Sequence, residues 1–343
     1  MWAPLQQLRG FRHSDWWQYK VPALMAFGLS SAQLAQLDLS AHWPKLLVLL
    51  GCIAIAAAHV SIINDYTDLA QDVQAGKANM FAGRSPSSGR WILALGLLAP
   101  AGVICGLWWQ ALPISAYAAA LLSYAAYSCP PLRCKERRYW GLLTDALGAH
   151  GLAVLFVMQF IYGLAQRTLP WTWAVAVCGI SLCYGLRGIL WHQFDDKKND
   201  EASGTQTAAI TLQPQRVQRF AAVLIGFELL AMGYLLYVLH NPWLWGWLTY
   251  YGLILTYKKM FLKQELTWAI AHQPDFHFMG ADWYEYLFPL GLLCGAAQQH
   301  PDHLMLLLAF IWLFPRKGWQ LAHETADVFI RAYNWYITPK HLR

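Results

Sequence analysis

Charge is what this 343-residue chain has least of. Asp, Glu, Lys and Arg together make up 13% of it, against 57% apolar residues, and mean hydropathy is +0.30. Soluble domains carry about 25% charged side chains, so the composition excludes a soluble globular chain and leaves an integral, multi-pass membrane protein. Apolar stretches recur along almost the whole length, which leaves no room for a large soluble domain. One transmembrane domain over 1–343 is the economical division, with 1–19 a cytoplasmic N-terminal segment and 316–343 a cytoplasmic or interfacial C-terminal one. A cleavable secretory signal is also missing, since MWAPLQQLRGFRHSDWW contains no apolar core. The seven cysteines lack metal-site spacing, so they read as small hydrophobes. The net charge of +6 falls in connections between apolar runs and does not point to a nucleic-acid partner.

What is present is a succession of apolar segments of helical length, at about 21–37, 44–63, 91–109, 114–127, 139–164, 171–193, 220–239 and 243–257. Two shorter ones follow, at 284–297 and 304–314, each below the roughly 20 residues that a perpendicular span needs. The pattern predicts an all-α, polytopic bundle of nine or ten helices. Lys and Arg concentrate after every second segment, whereas the intervening connections hold a single Arg167. Orientation follows: the even-numbered exits face the cytoplasm, the plasma membrane being the host if the source is bacterial.

Two of those exits carry rows of oxygen ligands. HVSIINDYTDLAQD places Asn64, Asp68 and Asp72 four residues apart, within about 80° on one helical face. WHQFDDKKND repeats the pattern with Asp196 and Asp200. Unscreened carboxylates at that spacing repel one another, and a divalent cation is their natural occupant. Mg²⁺ suits them because it prefers oxygen and is commonly held by one or two carboxylates together with a substrate phosphate. Two such rows on the same side of the membrane suggest two metal clusters facing one anion. Between them, YSCPPLRCKERR clusters Arg133, Lys135, Arg137 and Arg138 after a Pro-Pro stop.

Three segments together resemble a known family. NDYTDLAQD matches NDxxDxxxD, DDKKNDEASGTQT resembles a second DxxxD, and YSCPPLRCK looks like the YSxPPxRxK linker of the UbiA superfamily of intramembrane prenyltransferases. The resemblance implies a bundle of about nine helices around a central cavity. It also implies an isoprenyl diphosphate substrate held through Mg²⁺ at the cytoplasmic mouth. Carried over by position, the implied metal ligands are Asn64, Asp68, Asp72, Asp196 and Asp200, the four aspartates being the catalytic set. Lys135 is the implied diphosphate contact, with Arg133 and Arg138 as neighbours. The chain departs from the pattern in AGKANMFAGRSP after the first motif and in LRGILWHQFDD before the second, and both departures bear on the prenyl acceptor.

Further candidates come from position alone. Tyr66, Tyr124, Tyr127, Tyr184 and Trp191 lie near the motifs, where an aromatic face can stabilise an allylic cation. Arg187 could contact diphosphate or pair with a carboxylate, and Tyr184, one turn earlier, is expected on the same face. Lys20 could reach the cavity rim or snorkel to headgroups. Asp145 and His150, ionisable groups inside a span, stand five apart and should not share a helical face. His59 and His192 could orient a ligand and act as a base, respectively, or make structural hydrogen bonds. The leading expectation is a Mg²⁺-dependent transfer of a prenyl group to an unidentified acceptor, among membrane lipids, in isoprenoid biosynthesis. A terpene cyclase on the same scaffold is the alternative. A transporter is a third reading, disfavoured because transport sites lie near the midplane.

Overall fold

The second helix sets the geometry of everything around it. In the computed structural model, which describes residues 16–74, 76–107, 111–203 and 205–337, helix α2 runs without a break from Trp43 to Gln74. Its 32 residues rise about 48 Å, well beyond the roughly 30 Å of a hydrocarbon core. An apolar first part followed by Asn64, Asp68 and Asp72 therefore lifts the acidic row to the membrane boundary. The helix stops at Gly76, whose φ of 65° suits a residue without Cβ. Gly76 N donates to Val73 O at 3.2 Å and Lys77 N to Asp72 O at 2.8 Å, which satisfies the last carbonyls.

Helix α1 (Lys20–Leu34) precedes α2, and α3 (Pro86–Gly106) follows it, with Pro86 in its first turn and Ser85 Oγ accepting from Ser88 N at 3.3 Å. Next come α4 (Ala111–Ser128), α5 (Tyr139–Leu164) and α6 (Trp171–Asp195). Two short helices, α7 (Lys197–Ser203) and α8 (Ala208–Thr211), lead to α9 (Pro214–Leu239) and α10 (Pro242–Met260). The polar stretch after α10 forms two three-residue parallel strands, β1 (Glu265–Thr267) and β2 (Phe276–Phe278). Helices α11 (Phe288–Gln299), α12 (Leu304–Leu313) and α13 (Pro315–Ile337) close the described chain.

Among the described residues five helices, α2, α3, α5, α6 and α9, are long and apolar enough to cross a membrane. The expected number of nine or ten is not confirmed by that count. Helices α1, α11 and α12 hold only 15, 12 and 10 residues, and the apolar character of α10 rests largely on Trp and Tyr. The all-α bundle itself stands, with the β pair as its one small exception among the described residues.

Water does not drive helices together inside a bilayer, so close packing and buried polar contacts must. Helix α6 packs along α9, and α1 along α5. Trp173 is fully buried where α6 meets α1, and its indole donates to Ser31 Oγ at 2.9 Å. Gly148 lets α5 approach α4 so closely that a Cβ there would meet the Tyr124 ring at 2.9 Å. Two π-helical turns interrupt the bundle, Leu147–Leu152 inside α5 and Trp283–Leu287 ahead of α11.

The first of these begins just past Asp145 and contains His150. The N-terminal segment 1–19 lies mostly outside the described residues.

Candidate functional site

The linker after α4 wraps across the exposed end of α2. Arg133, at φ 38°, donates from its guanidinium to four oxygens within 3.2 Å, Glu136 Oε1 at 2.5 Å, Gln71 Oε1 at 2.9 Å, Asp68 Oδ1 at 3.1 Å and Thr67 O at 3.2 Å, with Ser128 O at 3.5 Å as a fifth. Lys135 Nζ donates to the same Asp68 oxygen and to Asn64 Oδ1 at 3.3 Å. Ser128 Oγ donates to Asn64 Oδ1 at 3.3 Å. Asp72 accepts from Asn79 Nδ2 at 2.8 Å. So Asn64 and Asp68 meet the linker's two cations, and Asp72 meets the loop that follows the helix.

The second row is built differently. Asp196 caps α6, and its carbonyl accepts from Asn199 N at 2.9 Å and Asp200 N at 3.0 Å, so the row spans the joint between α6 and α7. Asp196 Oδ1 accepts from Asn199 Nδ2 at 3.1 Å, and Asp200 Oδ2 from Thr207 Oγ1 at 3.0 Å.

Two links place the two rows on one side of the bundle. Lys77, just past α2, lies 3.5 Å from Asp196 Oδ2. Arg138 N donates to Gln206 O at 3.0 Å, tying the linker to the chain next to Thr207.

Electrostatics follow from this crowding. Burial pulls the Lys135 ammonium below its usual range, against the opposing pull of Asp68. Burial would also lower Arg133, but Glu136 and Asp68 hold it above the ordinary guanidinium range. Burial raises Asp200. It would raise Asp196 as well, yet Asn199 and Lys77 bring that carboxyl below the usual range.

All five proposed ligands present oxygen, the donor that hard divalent cations prefer. Of the row aspartates, Asp68 meets Arg133 and Lys135, and Asp196 meets Lys77. Among the described residues no three His, Cys, Asp or Glu side chains converge closely enough to cage an ion alone.

Below the rows, Tyr124, Tyr127, Asp145, His150 and Tyr184 lie deep among the helices yet keep part of their surface open. His150 is pressed onto Gly185, where an added Cβ would fall inside its ring, and lies 6.2 Å from the Tyr184 ring. Lys20 is exposed at the start of α1, with its charge directed toward Asp145 and His150.

Other expected residues have other partners. Of its two possible roles, Arg187 takes the second: it is 1% exposed and grips Glu228 with both arms of its guanidinium at 2.6 and 2.8 Å. It also donates to Trp268 O at 3.0 Å and Met279 O at 3.1 Å, which ties the strand segment to α6. Tyr184 donates to Glu285 Oε1 at 2.9 Å. The Arg138 side chain lies over the Tyr139 ring at 5.7 Å, away from Asp68. His59 bonds Gly96 O of α3 at 2.6 Å, a structural contact. Tyr66 is exposed against Phe81, and Trp191 packs on Phe276 and Phe278.

Sequence reasoning missed Lys77, Asn79 and Thr207. Each stands within seven residues of an acidic row in a loop rich in Gly, Asn or Thr, and that proximity was the available signal.

No curated protein matches the chain. Among solved structures, a UbiA homolog from Archaeoglobus fulgidus bound to GPP and Mg²⁺ is similar at 15% identity, covering 88% of this chain and 99% of that one, with a TM-score of 0.58. The same homolog bound to DMAPP and Mg²⁺ is similar at 14% identity, covering 85% and 99%, with a TM-score of 0.54. At those identities the likeness is one of fold. Residues 21–284, from the start of α1 to the turn that leads into α11, match the UbiA prenyltransferase family, and the chain belongs to that family.

Proposed function

We propose that the protein is a Mg²⁺-dependent intramembrane prenyltransferase that moves a prenyl group from an isoprenyl diphosphate to a nucleophilic acceptor. The observation that carries this reading is the linkage of two acidic rows across one rim, with Lys135 and Arg133 held on Asp68. The A. fulgidus structures, with GPP or DMAPP and Mg²⁺, support the choice of ligands. Positive residues on the rim side support a site that faces the cytoplasm.

In this reading Asn64, Asp68, Asp72, Asp196 and Asp200 hold the metal. Bound Mg²⁺ neutralises the charge that develops on diphosphate as the allylic C1–O bond breaks. Lys135 and Arg133 bind phosphate oxygens, which strengthens that neutralisation at a partly dry rim. Tyr124 and Tyr127 present aromatic faces to the allylic cation, and the enclosing helices keep water from it.

A cyclase is the second reading, favoured by the paired rings of Tyr124 and Tyr127, 6.5 Å apart, which would serve a carbocation whichever nucleophile follows. Purified protein given geranyl diphosphate and Mg²⁺ alone separates the two. Turnover that waits for an added acceptor supports the transferase, and hydrocarbon products support the cyclase.

A further inference from the structure

The chain that leaves α2 folds back onto it. Asp65, 1% exposed on α2, accepts from Met80 N at 3.0 Å through Oδ2. Met80 and Phe81 are buried in one cluster with Ile62, and Arg84 Nε donates to Met80 O at 2.6 Å. Asn79 stands inside this clasp. Its Nδ2 donates to Asp65 O at 2.7 Å and to Asp72 Oδ2 at 2.8 Å, while its Oδ1 accepts from Phe81 N at 2.9 Å. Two acceptors on one side and a backbone donor on the other fix which end of the amide faces Asp72. Residues 65 and 72 share one helical face, so a single short side chain reaches the backbone of the first and the carboxylate of the second.

The two carboxylates of the first row are held in opposite ways. Asp68 gives one oxygen to both Arg133 and Lys135, which offset its charge. Asp72 is held by a neutral amide instead. Among the described residues no Lys or Arg lies within ion-pair distance of Asp72, and no hydrogen bond reaches its Oδ1. A donor without charge fixes the plane of the carboxylate and leaves its full negative charge, and one oxygen, to a cation. Outer partners of metal-ligating carboxylates act in this way, and losing one costs about 10–100-fold in metal affinity. The loop itself is fastened separately, by Asp65 on Met80 N and by the buried Phe81 ring, so docking of the loop and orientation of Asp72 can be separated by mutation.

We propose that Asn79 is the positioning residue of the first acidic row: its amide holds one oxygen of Asp72 and so leaves the other to Mg²⁺ bound with the diphosphate. The inference rests on the assignment of Asp72 as a metal ligand under the transferase reading. Its effect falls on the concentration of Mg²⁺ that substrate binding requires. The direct phosphate contacts, which that reading gives to Lys135 and Arg133, do not depend on it.

Wild type, Asn79→Ala, Asn79→Leu and Phe81→Ala are purified in detergent for the test. Asn79→Leu keeps the volume without the amide, and Phe81→Ala loosens the same loop while leaving the amide in place. Three quantities are read: the melting temperature without ligands, Mn²⁺ bound in the presence of inorganic pyrophosphate by electron paramagnetic resonance of the free ion, and the Mg²⁺ concentration that gives half-maximal geranyl diphosphate binding. Both Asn79 variants are expected to weaken Mn²⁺ binding and raise the Mg²⁺ requirement by about 10–100-fold, with geranyl diphosphate binding recovered at high Mg²⁺. Phe81→Ala is expected to lower the melting temperature and leave both metal readouts nearly unchanged. An Asn79 variant with wild-type metal dependence overturns the inference. So does one whose geranyl diphosphate binding no Mg²⁺ concentration restores, or a Phe81→Ala protein whose metal dependence shifts as far as that of Asn79→Ala. Each of these leaves the transferase reading standing. Wild type that binds geranyl diphosphate at no Mg²⁺ concentration overturns both.

Discussion

The Lys77 ammonium and the Asp196 carboxylate lie 3.5 Å apart, joining the turn after the first acidic row to the joint that carries the second. Both side chains are more than a third open to solvent, so the pair itself contributes at most about 1 kcal/mol. The firmer links are the Arg138–Gln206 backbone bond and the Thr207–Asp200 hydrogen bond. Replacing Lys77 by Ala is therefore expected to leave the melting temperature in detergent almost unmoved. Thr207→Val, which strips a partner from Asp200, should lower stability by about 1 kcal/mol and weaken Mg²⁺-dependent substrate binding as well. Differential scanning fluorimetry with and without Mg²⁺ and geranyl diphosphate checks both.

Lys135 and Arg133 share one oxygen of Asp68. If they bind phosphate, Lys135→Met removes a charge-assisted contact of about 1.5–3 kcal/mol, and geranyl diphosphate affinity falls by about 10–100-fold. Arg133→Lys is also expected to fail, because an ammonium cannot span the four oxygens that the guanidinium fork reaches. Titration calorimetry at fixed Mg²⁺ reads both losses.

The acidic rows, the linker and the alternation of apolar segments were legible because each is a local pattern with a period or a fixed spacing. Asn64, Asp68 and Asp72 on one face of a helix follow from four-residue steps alone. The pairing of Arg187 with Glu228, 41 residues away, has no local signature, and from sequence Arg187 looked as open to a diphosphate as to a carboxylate. The polar stretch before α11 carried no strand signal beyond ELT and FHF, which are too short to stand out.

Helix α13 is held to the bundle by buried charge. Lys317 and Lys258 each lie 2.9 Å from Asp282, which is 0% exposed, and Lys258 lies 3.1 Å from Glu324. Burial alone would raise Asp282, but Lys317, His277 and Lys258 hold it well below the carboxylate range. Burial alone would lower Lys317, but Glu285 and Asp282 hold it above the usual ammonium range. Because the Asp282 pKa is depressed on folding, its contribution is present above about pH 4 and is lost as pH falls through the lowered value. Because that of Lys317 is raised, its contribution is present below about pH 10 and is lost as pH rises through the raised value. Between those limits α13 should resist proteolysis. Asp282→Asn removes the carboxylate that Lys258 and Lys317 share, leaving Lys258 only the Glu324 carboxylate at 3.1 Å and Lys317 only that of Glu285 at 3.6 Å, with an expected loss of about 3 kcal/mol and early cleavage after α12, read by limited proteolysis.

Gly185 makes room for the His150 ring. Gly185→Ala forces α5 and α6 apart or drives the imidazole from its place, at a cost of about 1–3 kcal/mol. The expected result is a lower melting temperature, with geranyl diphosphate affinity nearly unchanged because the rim is not touched; differential scanning fluorimetry and calorimetry read the two.

The account stands on one magnesium-held diphosphate shared by both acidic rows. Calorimetric titration of geranyl diphosphate into wild type, Asp68→Asn, Asp196→Asn and the double variant, at constant Mg²⁺, tests that sharing directly. One site predicts a stoichiometry of one, a large loss in either single variant, and a double variant little worse than the singles, since the two losses are coupled. Two separable sites, each surviving removal of the other with losses that simply add, would contradict it.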